Sequence, residues 1–306
     1  MTSLLEHQLV FVTGKGGVGK STVAAAIGWL GAASGRRTLV VEADGKGDVG
    51  AIFGRHGIGF EPVEVLPSLS VMEMDTEASL EEYLRIFVKV PMLSKMPGLA
   101  RIFDFVSTAA PGVKEILVVG KLCYEAKENH FDLIVVDPPA SGHVISQLGV
   151  TSDVGDLIQL GMIRNQTSWM LEILADQDRS TAVLVATPDE TAVEESVELA
   201  SRIRSETPVH LGGAVVNRVI HNPLGELEQA ELERIRSVAG AAGQLGPVVE
   251  AADLYVGIAT RHAGNIATLQ AAMGELPVAT VAELLGSEAN LDLVMEVAES
   301  LEVELW

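Results

Sequence analysis

A single cysteine, Cys123, occurs in the 306 residues of this chain. No disulfide can close within one copy, and no Cys–Cys metal pair can form within it. Basic residues are scarce as well: 21 Lys and Arg stand against 42 Asp and Glu, a formal net charge of −21. Nucleic-acid binders draw most of their affinity from cations set against phosphate, so no nucleic-acid partner is expected. Long apolar runs are also missing. The most apolar helical stretch, residues 84–100, is broken by Arg85, Lys89, Pro91, Lys95 and Pro97, and direct membrane insertion is not expected. The first residues include Glu6 and pass straight into a strand, without the basic start and cleavage site of a signal peptide. A reducing, cytoplasmic setting is expected.

What is present, at 48% hydrophobic residues, suffices for a large buried core. The chain is organised around Gly14-Lys15-Gly16-Gly17-Val18-Gly19-Lys20-Ser21, which has the spacing of a nucleotide-binding P-loop. Glycines allow consecutive backbone N–H groups to turn inward around phosphate oxygens. Lys20 supplies a point charge to the outer phosphates, and the Ser21 hydroxyl is placed to ligate Mg²⁺. The candidate cradle therefore comprises Gly14, Gly16, Gly17, Val18, Gly19, Lys20, Ser21 and Thr22. An apolar run over residues 9–12 precedes it and an Ala-rich helical pattern over 21–30 follows. Strand, glycine loop and helix come in the order that points a helix dipole at the phosphates.

Further along, residues 38–42 read as a second buried strand leading to Asp44, and 45–48 as a loop at its carboxyl end. That loop reads either as a catalytic switch bearing Asp44 or as an ordinary glycine turn. Residues 69–74 suggest a short strand. Residues 76–127 are largely helical, and Phe87, Met92, Leu93, Met96, Leu99, Ile102, Phe103 and Phe105 suit either a packed helical cap or a groove for a hydrophobic partner. Strand 131–136 runs into Asp137, where an acid can hold the Mg²⁺ shell, and 138–143 continues as a loop ending at His143. His143 suits a loop-structuring role better than that of a base. Helix 151–175, strand 181–186, helix 191–205 and strand 209–216 follow, then Asn217, an adenine reader or a turn cap. Helices 226–243 and 251–273, strand 277–279 and an acidic helix 290–302 complete the chain. The alternation implies an α/β fold with a mostly parallel sheet and helices on both faces. Nothing suggests a second domain; residues 1–306 read as one unit with a helical insertion at about 76–127.

These motifs resemble those of the arsenite-pump ATPase family (ArsA), which includes ATPases that deliver tail-anchored membrane proteins and belongs with ParA, MinD and the nitrogenase iron protein. The early lysine, Lys15, marks that group. Asp44 to Asp48 with Ala51-Ile52-Phe53-Gly54 resembles the family's first switch, Asp137 to His143 its second, Pro111-Gly112 with Glu115 its Pro-Gly-x-x-Glu, and Val215-Val216-Asn217-Arg218 its adenine-reading motif. Gly45, Gly47 and Asp48 stand where the family has Pro, His and Asn. The resemblance implies ATP and Mg²⁺ as ligands, with the metal on Ser21 and Asp137. Asp44 would orient the attacking water, and Lys15 would reach across a dimer interface to the partner's ATP. It further implies nucleotide contacts from Asn217 and Arg218, and a homodimer or a heterodimer with a paralogue acting on a hydrophobic client or membrane partner. The zinc clasp of the tail-anchored-protein branch needs a Cys-x-x-Cys pair, and arsenite needs several thiolates; Cys123 alone supplies neither. A slowly turning nucleotide-switched carrier and a ParA- or MinD-like positioning ATPase are the alternative readings. The acidic end of the chain, residues 297–306, argues against the basic membrane helix of MinD.

Overall fold

Strands that are apolar on successive residues, without polar alternation, belong to a sheet covered on both faces. In a computed structural model, which describes residues 3–45, 47–83, 85, 113–138, 161–222, 226–239, 246–284 and 289–305, the strands form such a sheet. In chain order the elements are β1 (Leu9–Gly14), α1 (Lys20–Ala33), β2 (Thr38–Glu42), α2 (Asp48–Ile52), β3 (Val63–Leu66), β4 (Leu69–Glu73) and α3 (Thr76–Tyr83). Then come α4 (Val113–Lys127), β5 (Leu133–Asp137), α5 (Gly161–Ala175), β6 (Ser180–Ala186), α6 (Glu190–Glu206) and β7 (His210–Val219). The remainder is α7 (Glu226–Ala239), α8 (Gly246–Met273), β8 (Val278–Ala282) and α9 (Leu291–Leu305).

The eight strands lie in the order β3-β4-β2-β5-β1-β6-β7-β8, and every pairing is parallel except β3 with β4. β1 is central, with later strands added on both sides, so the loop leaving it opens at the reversal point where such sheets bind ligands. The two-residue period of β1 sends Leu9 and Phe11 into one core and Val10 and Val12 into the other. The first core collects Leu122, Ile173, Ile203 and Leu269 from α4, α5, α6 and α8; the second collects Ile27, Val49 and Val294 from α1, α2 and α9. Leu9, Leu39, Ile134 and Leu184 are fully buried, each worth about 1.5–3 kcal/mol against exposure.

Helix α1 lies close on the sheet because small residues face it. A Cβ added at Gly28 would stand 2.3 Å from Val40 Cγ2, and one at Gly31 would stand 2.5 Å from Leu133 Cδ2. The helix ends through a turn in which the amides of Ser34 and Arg36 bond the carbonyls of Leu30 and Gly31.

Three features differ from the sequence reading. Val63–Leu66 is an antiparallel edge strand on β4; its outer half is exposed, so no apolar run marks it. Residues 48–52 form a helical turn, because a buried carboxylate caps it from a distance. β7 extends past Asn217 to Val219 through a bulge against β8. Within the expected helical insertion, α3 and α4 are described; Phe87 to Phe105 and Pro111-Gly112 lie outside the described residues, as do His143 and the loop 139–143. Among the described residues no helix is long and apolar enough to cross a membrane.

Gly28→Ala tests the close approach of α1. Overpacking against the stiff, buried Val40 costs about 1–3 kcal/mol, and better helix propensity returns up to about 1 kcal/mol. The expected result is a lower thermal midpoint, and an unchanged or raised midpoint would contradict the packing.

Candidate active site

The parallel register assembles the acidic half of the site. Glu42 at the end of β2 stands opposite Asp137 at the end of β5 and opposite Glu73 at the end of β4. Neighbouring parallel strands are about 4.8 Å apart, so three carboxylates form a row along the carboxyl edge. Their surroundings differ. Glu42 is fully buried, and its two oxygens accept the backbone N–H groups of Asp48 at 3.2 Å and Val49 at 3.0 Å. That contact caps α2 and fixes the chain that carries Asp44 and Asp48. Burial, then the neighbouring charges of Glu42 and Asp44, raise the carboxyl of Glu73 above its ordinary range.

Asp137 is 5% exposed, and its Oδ1 has no hydrogen-bond partner among the described residues. Burial pushes its pKa up to about 6, against the opposing pull of a hydrogen bond from Ser21 and the charge of Lys20. A buried carboxylate oxygen without a donor, beside a serine hydroxyl, suits a hard divalent cation. Among the described residues no group of three or more His, Cys, Asp or Glu side chains is arranged to hold a metal by itself. Mg²⁺ bound through one or two protein oxygens and substrate phosphates fits this donor set.

The glycine loop supplies the anion-binding half. Gly19 has φ +96°, in the left-handed region, and as the N-cap of α1 it brings no side chain to the anion-binding end of the helix. A Cβ at Gly19 would lie 2.3 Å from Asn217 Nδ2, and one at Gly14 would lie 2.1 Å from the Val185 carbonyl oxygen. Lys20 Nζ donates to the Lys15 carbonyl at 3.2 Å. A cleft of about 410 Å³ brings Gly16, Gly17, Gly19, Lys20, Ser21, Thr22, Asp44, Asp48, Asp137 and Arg218 together.

A second cavity of about 570 Å³ adjoins the loop on its β6 side, between Lys15, Gly16, Gly17 and Val18 and residues of the β6–α6 connection. Arg218 borders both spaces. It stands at φ +62° where the β7–β8 register shifts, a bulge that turns its side chain to the cleft. Asn217 is buried; its Nδ2 donates to the Val18 carbonyl at 2.9 Å, and its Oδ1 accepts the Arg218 N–H at 3.0 Å. The side-chain amide therefore ties β7 to the phosphate loop. Lys15 Nζ lies 2.8 Å from Glu195 Oε1 on α6 of the same chain. From α8, His262 accepts the Ile220 N–H on Nδ1 at 3.1 Å, and burial lowers its pKa.

Sequence reasoning assigned no role to Glu42, Glu195 or His262. An acid closing an otherwise apolar strand was the available signal for Glu42; the other two are brought to the loop only by the chain's return through α6 and α8.

A glycine loop between β1 and α1, a serine at its end and an acid closing the adjacent strand define a P-loop nucleoside triphosphatase. Its family follows from comparison: the profile of the anion-transporting ATPase (ArsA) family matches residues 7–172, just over half of the 306 residues, and the chain belongs to that family. It is accordingly an ATPase. It is similar along nearly its whole length to ATPase BagA of Mycobacterium tuberculosis, 28% identical over 96% of this chain and 92% of that protein. The arsenical pump-driving ATPase of Escherichia coli is 29% identical over 61% of this chain and 35% of its own length. The ATPase ASNA1 homolog 1 of Paramecium tetraurelia is 28% identical over 48% and 46%.

The buried Asp137 gives a pH-dependent prediction. Its folded pKa, about 6, exceeds the unfolded value of about 3.9, so its protonated form stabilises the fold below about pH 4 and that stability is lost as pH rises through about 6. Above pH 7 the ionised group costs up to about 3 kcal/mol. Asp137→Asn is expected to raise the melting temperature of nucleotide-free protein at pH 7.5 by several degrees, the gap closing between pH 6 and 4. Mg²⁺-dependent hydrolysis should be lost. A melting temperature equal to or below the parent's at pH 7.5 would refute the account.

Proposed function

We propose that the chain is a single-domain, cytoplasmic, Mg²⁺-dependent ATPase that hydrolyses ATP at a dimer interface and couples turnover to movement of its switch loops. The observation that carries this reading is the Asp137 oxygen, buried and without a donor among the described residues, beside Ser21 and Lys20. Ser21 and Asp137 would hold the metal, which would supply positive charge against the phosphates. Backbone N–H groups from Gly16 to Ser21 hold the phosphates. Lys20 leaves the Lys15 carbonyl for the outer phosphates, and Asp44 orients the attacking water. Asn217 keeps the loop in register with β7, and Arg218 contacts the nucleotide. Capping of α2 by Glu42 supports the switch role of the adjoining segment, because movement there is transmitted through one short helix.

Lys15 would cross to the ATP of a partner, either a second copy or a paralogue, in the manner of an arginine finger. Such cations are worth about 10³ to 10⁵ in rate. The name of the Escherichia coli relative points to an arsenical pump, but Cys123 of this chain is fully buried and its thiol is pushed up to about 12. One such thiol does not provide a soft-metalloid site. A hydrophobic client protein or a membrane partner fits better as the object of the cycle.

Two variants separate the roles of the lysines. Lys20→Ala is expected to weaken nucleotide binding, whereas Lys15→Ala should leave binding within a few-fold and lower turnover by about 10³ or more. Light scattering with and without Mg²⁺ and ADP·AlF₄⁻ should show a dimer that tightens with the nucleotide. Equal loss of binding in both variants would sink the cross-interface role.

A further inference from the structure

We infer that Glu195 is the resting partner of Lys15, holding the lysine on its own subunit until phosphate and a second protomer displace it. The inference rests on the dimer reading above. Lys15 Nζ and Glu195 Oε1 are 2.8 Å apart, with the two side chains 45% and 47% exposed. The backbone that carries Glu195 is anchored, because its neighbours Val193, Ser196 and Leu199 on α6 are buried. Lys15, by contrast, sits beside Gly16 and Gly17, where an added Cβ would meet nothing within 4 Å. The lysine can therefore swing away from a helix that stays in place.

The pair is not needed to hold the loop's shape. Asn217 already pins the loop through the Val18 carbonyl, and the close fit at Gly14 and Gly19 sets its path. Its strength also suits a releasable contact, since an ion pair this exposed shifts an equilibrium by only a few-fold. A triphosphate carries several charges and competes readily for the ammonium.

Release has a built-in order. Lys20 Nζ donates to the Lys15 carbonyl at 3.2 Å, so the two lysines are linked through one peptide group. A phosphate entering the loop draws Lys20 away from that carbonyl and removes one of the two contacts on Lys15. Exchange of Glu195 for the partner's phosphate removes the other. Glu195 is thus a positioning residue: it touches no reacting atom and acts through Lys15, opposing dimer closure while the loop is empty.

The test is a double-mutant cycle on the full chain, with wild type, Glu195→Gln, Lys15→Ala and the double variant. The protein concentration giving half-maximal dimer is measured by light scattering with Mg²⁺ and ADP·AlF₄⁻, and the concentration giving half-maximal ATP hydrolysis is measured in parallel. Glu195→Gln is expected to lower both midpoints about two- to fivefold, with an unchanged melting temperature. In the Lys15→Ala background the same change should move the dimer midpoint by less than about 1.5-fold, because the coupling runs through the lysine. Glu195→Asp, which keeps the charge on a shorter stem, should fall between. Midpoints unchanged or raised in Glu195→Gln, or an equal shift without Lys15, would overturn the latch while leaving the dimer mechanism intact. A wild-type chain that stays monomeric at every concentration would overturn both.

Discussion

A carboxylate that the fold buries without completing its hydrogen bonds is the constraint around which this site is built. Asp137 closes the strand next to β1, its Oδ1 lacks a donor among the described residues, and its pKa is pushed up to about 6. A fold selected for stability alone would place an amide or an apolar side chain there. Keeping an acid at that point sacrifices stability in the empty state, a cost that the cation proposed above would offset. Ser21 and Lys20 offset only part of the cost.

The neighbouring carboxylates solve a different problem. Glu42 lies deeper than Asp137 yet stays satisfied, because the first amides of α2 converge on it. Helix N-termini normally receive their cap from the residue just before them, and α2 instead receives it from the strand six residues earlier. The helix therefore reports on the β2 edge rather than on its own loop. Under the switch proposed above, movement of the segment ahead of α2 would be felt at Glu42.

The cationic side is organised by borrowed contacts. Lys20 bonds the Lys15 carbonyl, Lys15 bonds Glu195, and Asn217 bonds the Val18 carbonyl. The first closes the loop on itself, and the other two link it to α6 and β7; each contact is of modest strength. The Asn217 amide has one donor in the loop and its acceptor on the Arg218 N–H, which makes it a brace for the phosphate loop.

The sequence by itself determined the parallel sheet and the phosphate loop. Both are local: continuous apolar runs such as Leu133–Asp137 report two-sided burial, and the glycine spacing with Lys20 and Ser21 encodes an anion cradle within eight residues. Asp137 was legible for the same reason, an acid directly after an apolar strand. Edge strand β3 was not, because an exposed edge needs no apolar pattern. What tertiary structure alone decided were the pairings across long separations: Glu42 level with Asp137, Asn217 on Val18, His262 on Ile220 and Lys15 on Glu195. Strand register and the return of α6 and α8 over the sheet fix those contacts. A hydrogen bond or ion pair between residues up to 199 positions apart leaves no periodicity in the chain for a reader to find.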